Sequence, residues 1–204
     1  MFNLNEFLAT EFSNLSLSYG DLAIIASYCE GKDLVVELGT CMGNTAKMMS
    51  YLSRRVMTFD LFEDMSGITD QSQLAMYQQQ FIGRPHYFHN IKSYLRNYPN
   101  VEVMQGNTPD MTRFCHDNSI DVLFVDADHS YTGVKKDYEA WFIKVKPGGY
   151  FIFHDCCPDT TGVSQVWLYY QDTLIKDRRI EEDTPNVQIE ENGTSIRVFR
   201  KIRN

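Results

Sequence analysis

Leu34-Val35-Val36-Glu37-Leu38-Gly39-Thr40-Cys41-Met42-Gly43-Asn44-Thr45 carries the signal that decides the fold of this 204-residue chain. Its first five residues, LVVEL, are too short a run for a helix and apolar enough for a strand buried on both faces. The two glycines behind it, spaced GxxxG, form a strand-to-helix turn at which a ligand can approach the backbone. A dinucleotide fingerprint needs GxGxxG and a phosphate loop needs GxxxxGK followed by Ser or Thr; neither is present, which disfavours NAD and ATP. Glu37, placed before the first glycine, would repel a pyrophosphate and suits a cationic ligand or one offering hydroxyl and amino donors. Taken alone, the segment also reads as an ordinary tight β-to-α turn.

Four further β-rich runs follow: Val56–Phe59, Val101–Met104, Ile120–Val125 and Tyr150–Phe153. Between the last two, Val134, Tyr138, Trp141, Phe142 and Val145 recur at helical steps and predict a helix over 132–145, with Lys135, Lys136, Asp137 and Glu139 turned mostly to water. Lys146-Pro147-Gly148-Gly149 stops it and opens the next strand. Strands alternating with helices imply a parallel sheet. The end of the chain differs: Val187–Glu190 and Ser195–Arg200 flank Asn192-Gly193, a strong signal for an antiparallel hairpin. The expected architecture is a Rossmann-like, doubly wound α/β sheet of five parallel strands plus a C-terminal antiparallel hairpin, seven strands in all. It occupies one domain, with residues 1–32 as a helical cap stopped at Gly31 and 33–204 as the core. Residues 61–100 form a long connection with two plausible helices, QSQLAMYQQQF and NIKSYLRNY.

With 43% hydrophobic residues the chain can bury a sizeable core. Its 19 basic residues against 27 acidic ones give a net charge of −8, the wrong sign for affinity built on phosphate neutralisation. Nucleic acid and membrane surfaces are therefore not expected as partners, and self-association stays open. No apolar run reaches 18 residues and the start lacks a basic leader, so a cytoplasmic location is expected. The five cysteines follow no metal or disulfide spacing and read as reduced thiols.

In open α/β sheets ligands bind at the carboxyl ends of the strands. Asp60 ends the second strand, about 20 residues after Glu37, where an acid commonly holds a ribose diol; a local capping role is its alternative. Asn107 follows the third strand, where it can read an adenine edge or simply start a helix at Thr108 or Pro109. Asp126 and His129 follow the fourth strand, and His154 and Asp155 the fifth. Adjacent strand ends would bring these four together, and two carboxylates with two imidazoles can hold a divalent metal and supply a base. His86, His89 and His116 have no spaced partners. Asp128 reads as a capping residue and Tyr131 as a core residue.

Together, VELGTCMGNT, FD, IDVLFVDADHSY and KPGGYFIFHD resemble the motifs of class I S-adenosylmethionine-dependent methyltransferases over residues 33–201. The DADHSY and FHD pair is similar to small metal-dependent O-methyltransferases, including the macrolide sugar enzymes and, more distantly, catechol O-methyltransferase. That resemblance implies S-adenosylmethionine as cofactor, with Glu37, Gly39 and Gly43 along its methionine side, Asp60 on the ribose and Asn107 near adenine. Thr40, Thr45 and Asp126 complete the implied cofactor contacts. It further implies Asp126, His154 and Asp155 as ligands of Mg²⁺ or another divalent metal, a small-molecule acceptor as partner, and His129, working beside Asp126, as the base that deprotonates the acceptor's hydroxyl. The sugar enzymes carry Glu-Asp where this chain has His154-Asp155, and the catechol enzyme carries Asp-Asn where it has Asp155-Cys156. Histidine shifts preference from Mg²⁺ towards Mn²⁺, Fe²⁺ or Zn²⁺. A cofactor-binding module without catalysis and an N-methyltransferase are the competing functions.

Overall fold

In the computed structural model, residues 6–7, 17–66, 74–75, 78–79, 86–158, 165–185 and 195–204 are described. Chain order runs α1 (Tyr19–Cys29), β1 (Leu34–Leu38), α2 (Asn44–Leu52), β2 (Arg55–Asp60), α3 (Tyr87–Tyr94), β3 (Val101–Gln105), a 3₁₀ segment (Thr108–Phe114), β4 (Ile120–Val125), α4 (Tyr131–Trp141), β5 (Val145–Phe153), α5 (Val166–Asp172), β6 (Ile180–Glu182) and β7 (Arg197–Lys201). The strands form one sheet in the order β3-β2-β1-β4-β5-β7-β6. β1 to β5 are parallel, and β7 pairs antiparallel with both β5 and β6. The seven-stranded sheet with its antiparallel end agrees with the architecture expected from sequence.

Alternation along the strands makes two cores, because neighbouring side chains point to opposite faces. Val35, Val122, Phe124, Ile152 and Val198 face α1, α2 and α3. Val36, Leu38, Leu123, Val125, Phe151, Phe153 and Phe199 face α4 and α5. The order reverses at β1, whose neighbours are β2 and β4, so a crevice opens at the carboxyl ends of β1 and β4. Among the described residues no helix is long and apolar enough to cross a membrane.

Three local expectations are corrected. The helix expected over 132–145 closes at Trp141, and Val145 already belongs to β5. Val145 pairs with Ile120, and the register then jumps so that Val122 meets Tyr150. Lys146-Pro147-Gly148-Gly149 is the bulge that absorbs the extra residues, with Gly148 in the left-handed region at φ 81°. Asp137, expected in water, is 1% exposed. The antiparallel partner of β7 is Ile180–Glu182, ahead of the expected Val187–Glu190, which with the Asn192-Gly193 turn lies outside the described residues. β6 escapes a hydropathy reading because only Ile180 in it is buried; Glu181 meets its cross-strand partner Arg200 at 2.9 Å.

The helix stop at Gly31 is present, with φ 71° directly after the C-cap of α1. Of the connection 61–100, NIKSYLRNY falls on α3 and a 3₁₀ turn over Leu95–Asn97, while QSQLAMYQQQF lies mostly outside the described residues.

Candidate functional site

The turn after β1 is built on Gly39. Its N–H donates to Phe59 O at 2.8 Å while the Asp126 N–H donates to Leu38 O at 2.9 Å, so the ends of β1, β2 and β4 are laced together there. Gly39 has φ 96°, and a Cβ on it would stand 2.1 Å from Asp126 O, a backbone atom. Gly39→Ala therefore combines a disfavoured φ with displaced backbone and is expected to cost roughly 2–3 kcal/mol in urea unfolding. A loss below 0.5 kcal/mol would show that the turn relaxes freely.

Gly43 is the N-cap of α2 and Thr45 the second residue of that helix, so the backbone amides of the first turn face the crevice. Glu37 and Thr40 lie beneath the turn, 1% and 3% exposed. Thr58 Oγ1 donates to Glu37 Oε2 at 2.6 Å and shares a second 2.6 Å contact with Thr40 Oγ1. Burial pushes the Glu37 carboxyl well above its ordinary range; the Thr58 hydrogen bond opposes this, and Asp126 and Asp60 add to it. A positive charge in the crevice would restore the ionised form.

Asp60 closes β2. It accepts from Cys41 N at 2.9 Å and Phe62 N at 2.7 Å, which fastens the β1 and β2 turns to each other. Burial raises its carboxyl, and the backbone donors only partly offset that. Cys41 is held at φ 44°. Asn107 is exposed beyond β3, donates to Asp110 Oδ2 at 3.1 Å, and occupies the N-cap position of the 3₁₀ segment that starts at Thr108, without a side-chain cap hydrogen bond. Asp128 takes the Ser130 N–H at 2.8 Å, and Ser130 caps α4 through Gly133 N, so Asp128 belongs to the helix start. Tyr131 packs edge-on against Tyr169 at 5.3 Å.

The four residues expected to converge do so. Asp126 Oδ1 is 3.0 Å from His154 Nδ1 and 3.5 Å from His129 Nε2, while Asp155 reaches His129 Nδ1 at 3.1 Å and His154 Nδ1 at 3.4 Å. The His129 imidazole thus spans both carboxylates. Asp155 achieves this from φ 53°, a left-handed conformation that aims its side chain back over the end of β5. His154 follows Phe153 in the ladder, its N–H donating to Val125 O at 3.1 Å. Burial raises the Asp126 carboxyl, yet His154 and His129 outweigh it and hold the group well below the usual carboxylate range. For His154, burial is overcome by Asp126 and then by Asp155 and Asp21, which push it up to about 12.

Asp126, His154 and Asp155 can each turn a ligand atom to within 4.8 Å of one another. His154 Nδ1 is buried without an aligned hydrogen bond although two carboxylates lie beside it. A donor set of two carboxylates and one imidazole around such an atom fits a divalent cation of the Mn²⁺, Fe²⁺ or Zn²⁺ type.

Three residues near this site had no reading of their own. Thr58 holds Glu37. Gln165 joins α5 to the His129 loop, its N–H donating to His129 O at 2.7 Å and its side chain accepting from Tyr131 N at 3.1 Å. Asp21, on α1, stands 3.8 Å from His154 Nε2. Only Asp21 had a local signal, as the last residue of a Ser18-x-x-Asp21 capping box, and that signal announces a helix start rather than a cleft residue.

A family model described as a methyltransferase domain matches residues 36–156. An S-adenosylmethionine-dependent O-methyltransferase from Thermotoga maritima superposes with a TM-score of 0.56 at 14% identity, over 98% of this chain and 71% of that one. An rRNA methylase from Streptococcus thermophilus does so with 0.54 at 14% identity, over 91% and 96%. A Streptococcus mutans protein assigned as a methyltransferase and solved in complex with SAH gives 0.58 at 9% identity, over 89% and 95%. At these identities the likeness is one of fold. Two uncharacterised proteins, from Sinorhizobium fredii and Acanthamoeba polyphaga mimivirus, are 41% and 45% identical over 54 and 38 residues, and these matches span 6% and 17% of their lengths.

Proposed function

The chain belongs to the methyltransferase-domain family, and from that premise we propose that it transfers the methyl group of S-adenosylmethionine to a hydroxyl oxygen of a small molecule. The observation that carries the oxygen acceptor is His129, set between Asp126 and Asp155 beside the glycine turn. In an in-line displacement the acceptor oxygen bonds to the methyl carbon, the carbon–sulfur bond breaks, and the sulfonium leaves as a neutral thioether. The hydroxyl proton must go elsewhere, and His129 is placed to take it. An amine acceptor gains less from such a base, since its lone pair is free once it is neutral.

The remaining residues bind and align. Gly39, Gly43 and Thr45 present the turn and the start of α2 to the methionine end of the cofactor. Glu37, supported by Thr58 and Thr40, supplies negative charge below the turn, where a sulfonium or ammonium group finds a counter-charge. Asp60 receives the ribose hydroxyls, and Asn107 stands by the adenine. Asp126, His154 and Asp155 would hold a divalent metal; when bound it lowers the pKa of a coordinated hydroxyl and fixes its direction. With a net charge of −8, the surface does not favour a nucleic-acid acceptor.

The test is calorimetric titration of S-adenosylmethionine into the protein, followed by a transfer assay with labelled cofactor and a panel of phenolic and sugar hydroxyls. Micromolar binding and labelled ether product are expected; absence of binding with and without Mn²⁺ overturns the reading. Asp60→Ala should weaken cofactor binding by about 1.5–3 kcal/mol through lost charge-assisted hydrogen bonds. An unchanged Kd would place the ribose elsewhere.

A further inference from the structure

Asp21 is 3% exposed and belongs to α1, remote in sequence from the residues of the cleft. Its carboxylate gathers three chain segments. Oδ1 accepts from Ser195 N at 3.0 Å, just ahead of β7. Oδ2 accepts from Ser18 N at 3.1 Å and Ser18 Oγ at 2.6 Å, and the same oxygen lies 3.8 Å from His154 Nε2. His154 is therefore flanked by carboxylates on both ring nitrogens: Asp126 and Asp155 at Nδ1, Asp21 at Nε2. A distance of 3.8 Å is an ion-pair contact rather than a hydrogen bond. On the ring's remaining side, Phe124 meets it edge-on at 6.3 Å.

We infer that Asp21 is a positioning residue for the cation centre: it orients the His154 ring so that Nδ1 faces the Asp126 and Asp155 carboxylates. Histidines that bind metals usually turn their second nitrogen to a carboxylate or carbonyl, which fixes ring orientation and raises ligand basicity, and loss of that partner typically lowers affinity 10- to 100-fold. The inference rests on the proposed cation site and adds that α1, outside the family-matched segment 36–156, completes it. Because Asp21 is part of α1, cation uptake and the docking of that helix must then favour each other, by reciprocity of linked equilibria.

The probe is Mn²⁺ alone, titrated into the 204-residue chain and followed by water-proton relaxation. Asp21→Asn keeps the side-chain shape while removing its charge, and it is expected to weaken Mn²⁺ binding by about 10- to 100-fold. Ala26→Gly loosens the same helix by about 1 kcal/mol without touching Asp21 or His154; with the docked helix still the dominant state, affinity is expected to stay within about twofold of the wild type. Mn²⁺ should slow amide exchange across Tyr19–Cys29 in the wild type and not in Asp21→Asn. Equal Mn²⁺ affinity in wild type and Asp21→Asn overturns the inference while leaving the cation centre standing, as does an equal loss in Asp21→Asn and Ala26→Gly. Failure of the wild type to take up Mn²⁺ overturns the cation centre itself, and the role of Asp21 with it.

Discussion

His129→Ala is expected to lower turnover by about two to four powers of ten, the range for a lost general base, while leaving the Kd for S-adenosylmethionine close to the wild-type value. The split follows from position. His129 touches Asp126 and Asp155, whereas the turn and Asp60, to which we assign the cofactor, lie at the ends of β1 and β2. Its titration adds an independent readout. Burial lowers the pKa of His129, but the hydrogen bond and charge of Asp126, followed by Asp155, outweigh it and raise the imidazole above its ordinary value of 6.5. The free base forms as pH rises past that raised value, so turnover measured without added divalent cation should climb with pH through a limb above 6.5 and be suppressed below it. The ring signal of His129 in the metal-free protein should titrate in the same window by NMR. Turnover that is unchanged in His129→Ala removes the residue from the mechanism; a ring that titrates below 6.5 removes the two carboxylates as its controlling neighbours.

What could be read in advance of the fold was whatever depends on near neighbours in the chain. The runs at Leu34–Leu38 and Ile120–Val125 mark β1 and β4 to the residue, because strands buried on both faces are written as apolar runs with sharp ends. The convergence of Asp126, His129, His154 and Asp155 follows once β4 and β5 are adjacent, since each pair sits just beyond its strand. Contacts between distant segments were not legible. Ser195 N reaching Asp21, and Thr58 reaching Glu37, depend on register and docking that no local pattern encodes. The early end of α4 has the same origin. Val145 fits the helical step, yet its backbone is claimed by Ile120 on one side and by the buried Lys201 ammonium, which donates to Val145 O at 2.7 Å, on the other. Asp137 is a different kind of error. Val134, Asp137, Tyr138 and Trp141 are buried along one helical stripe, so the position of Asp137 faces inward although its charge led to a reading in water.

That buried carboxyl produces the largest expected effect on stability. Thr108 Oγ1 donates to Asp137 Oδ1 at 2.5 Å and Trp141 Nε1 donates to Thr108 O at 2.9 Å, so α4 is pinned to the 3₁₀ segment, while Asp137 Oδ2 is buried without a hydrogen-bond partner. Burial raises the carboxyl from 3.8 to about 7, Thr108 partly opposing it and the charge of Asp128 adding to it. The folded state then binds more protons than the unfolded state between those two values, and stability must fall as pH rises across that window and level off above it. At about 1.36 kcal/mol per unit the full loss is of order 4 kcal/mol. Asp137→Asn keeps the Thr108 acceptor and cannot ionise, but it buries an unpaired amide at a cost of about 1–3 kcal/mol. The variant should therefore be no more stable than the wild type at pH 5 and gain on it by roughly 2–3 kcal/mol between pH 5 and 8, measured by urea unfolding at each pH. Parallel stability curves for the two proteins would mean that Asp137 ionises in the folded state as readily as in water, and that the orphaned oxygen finds solvent.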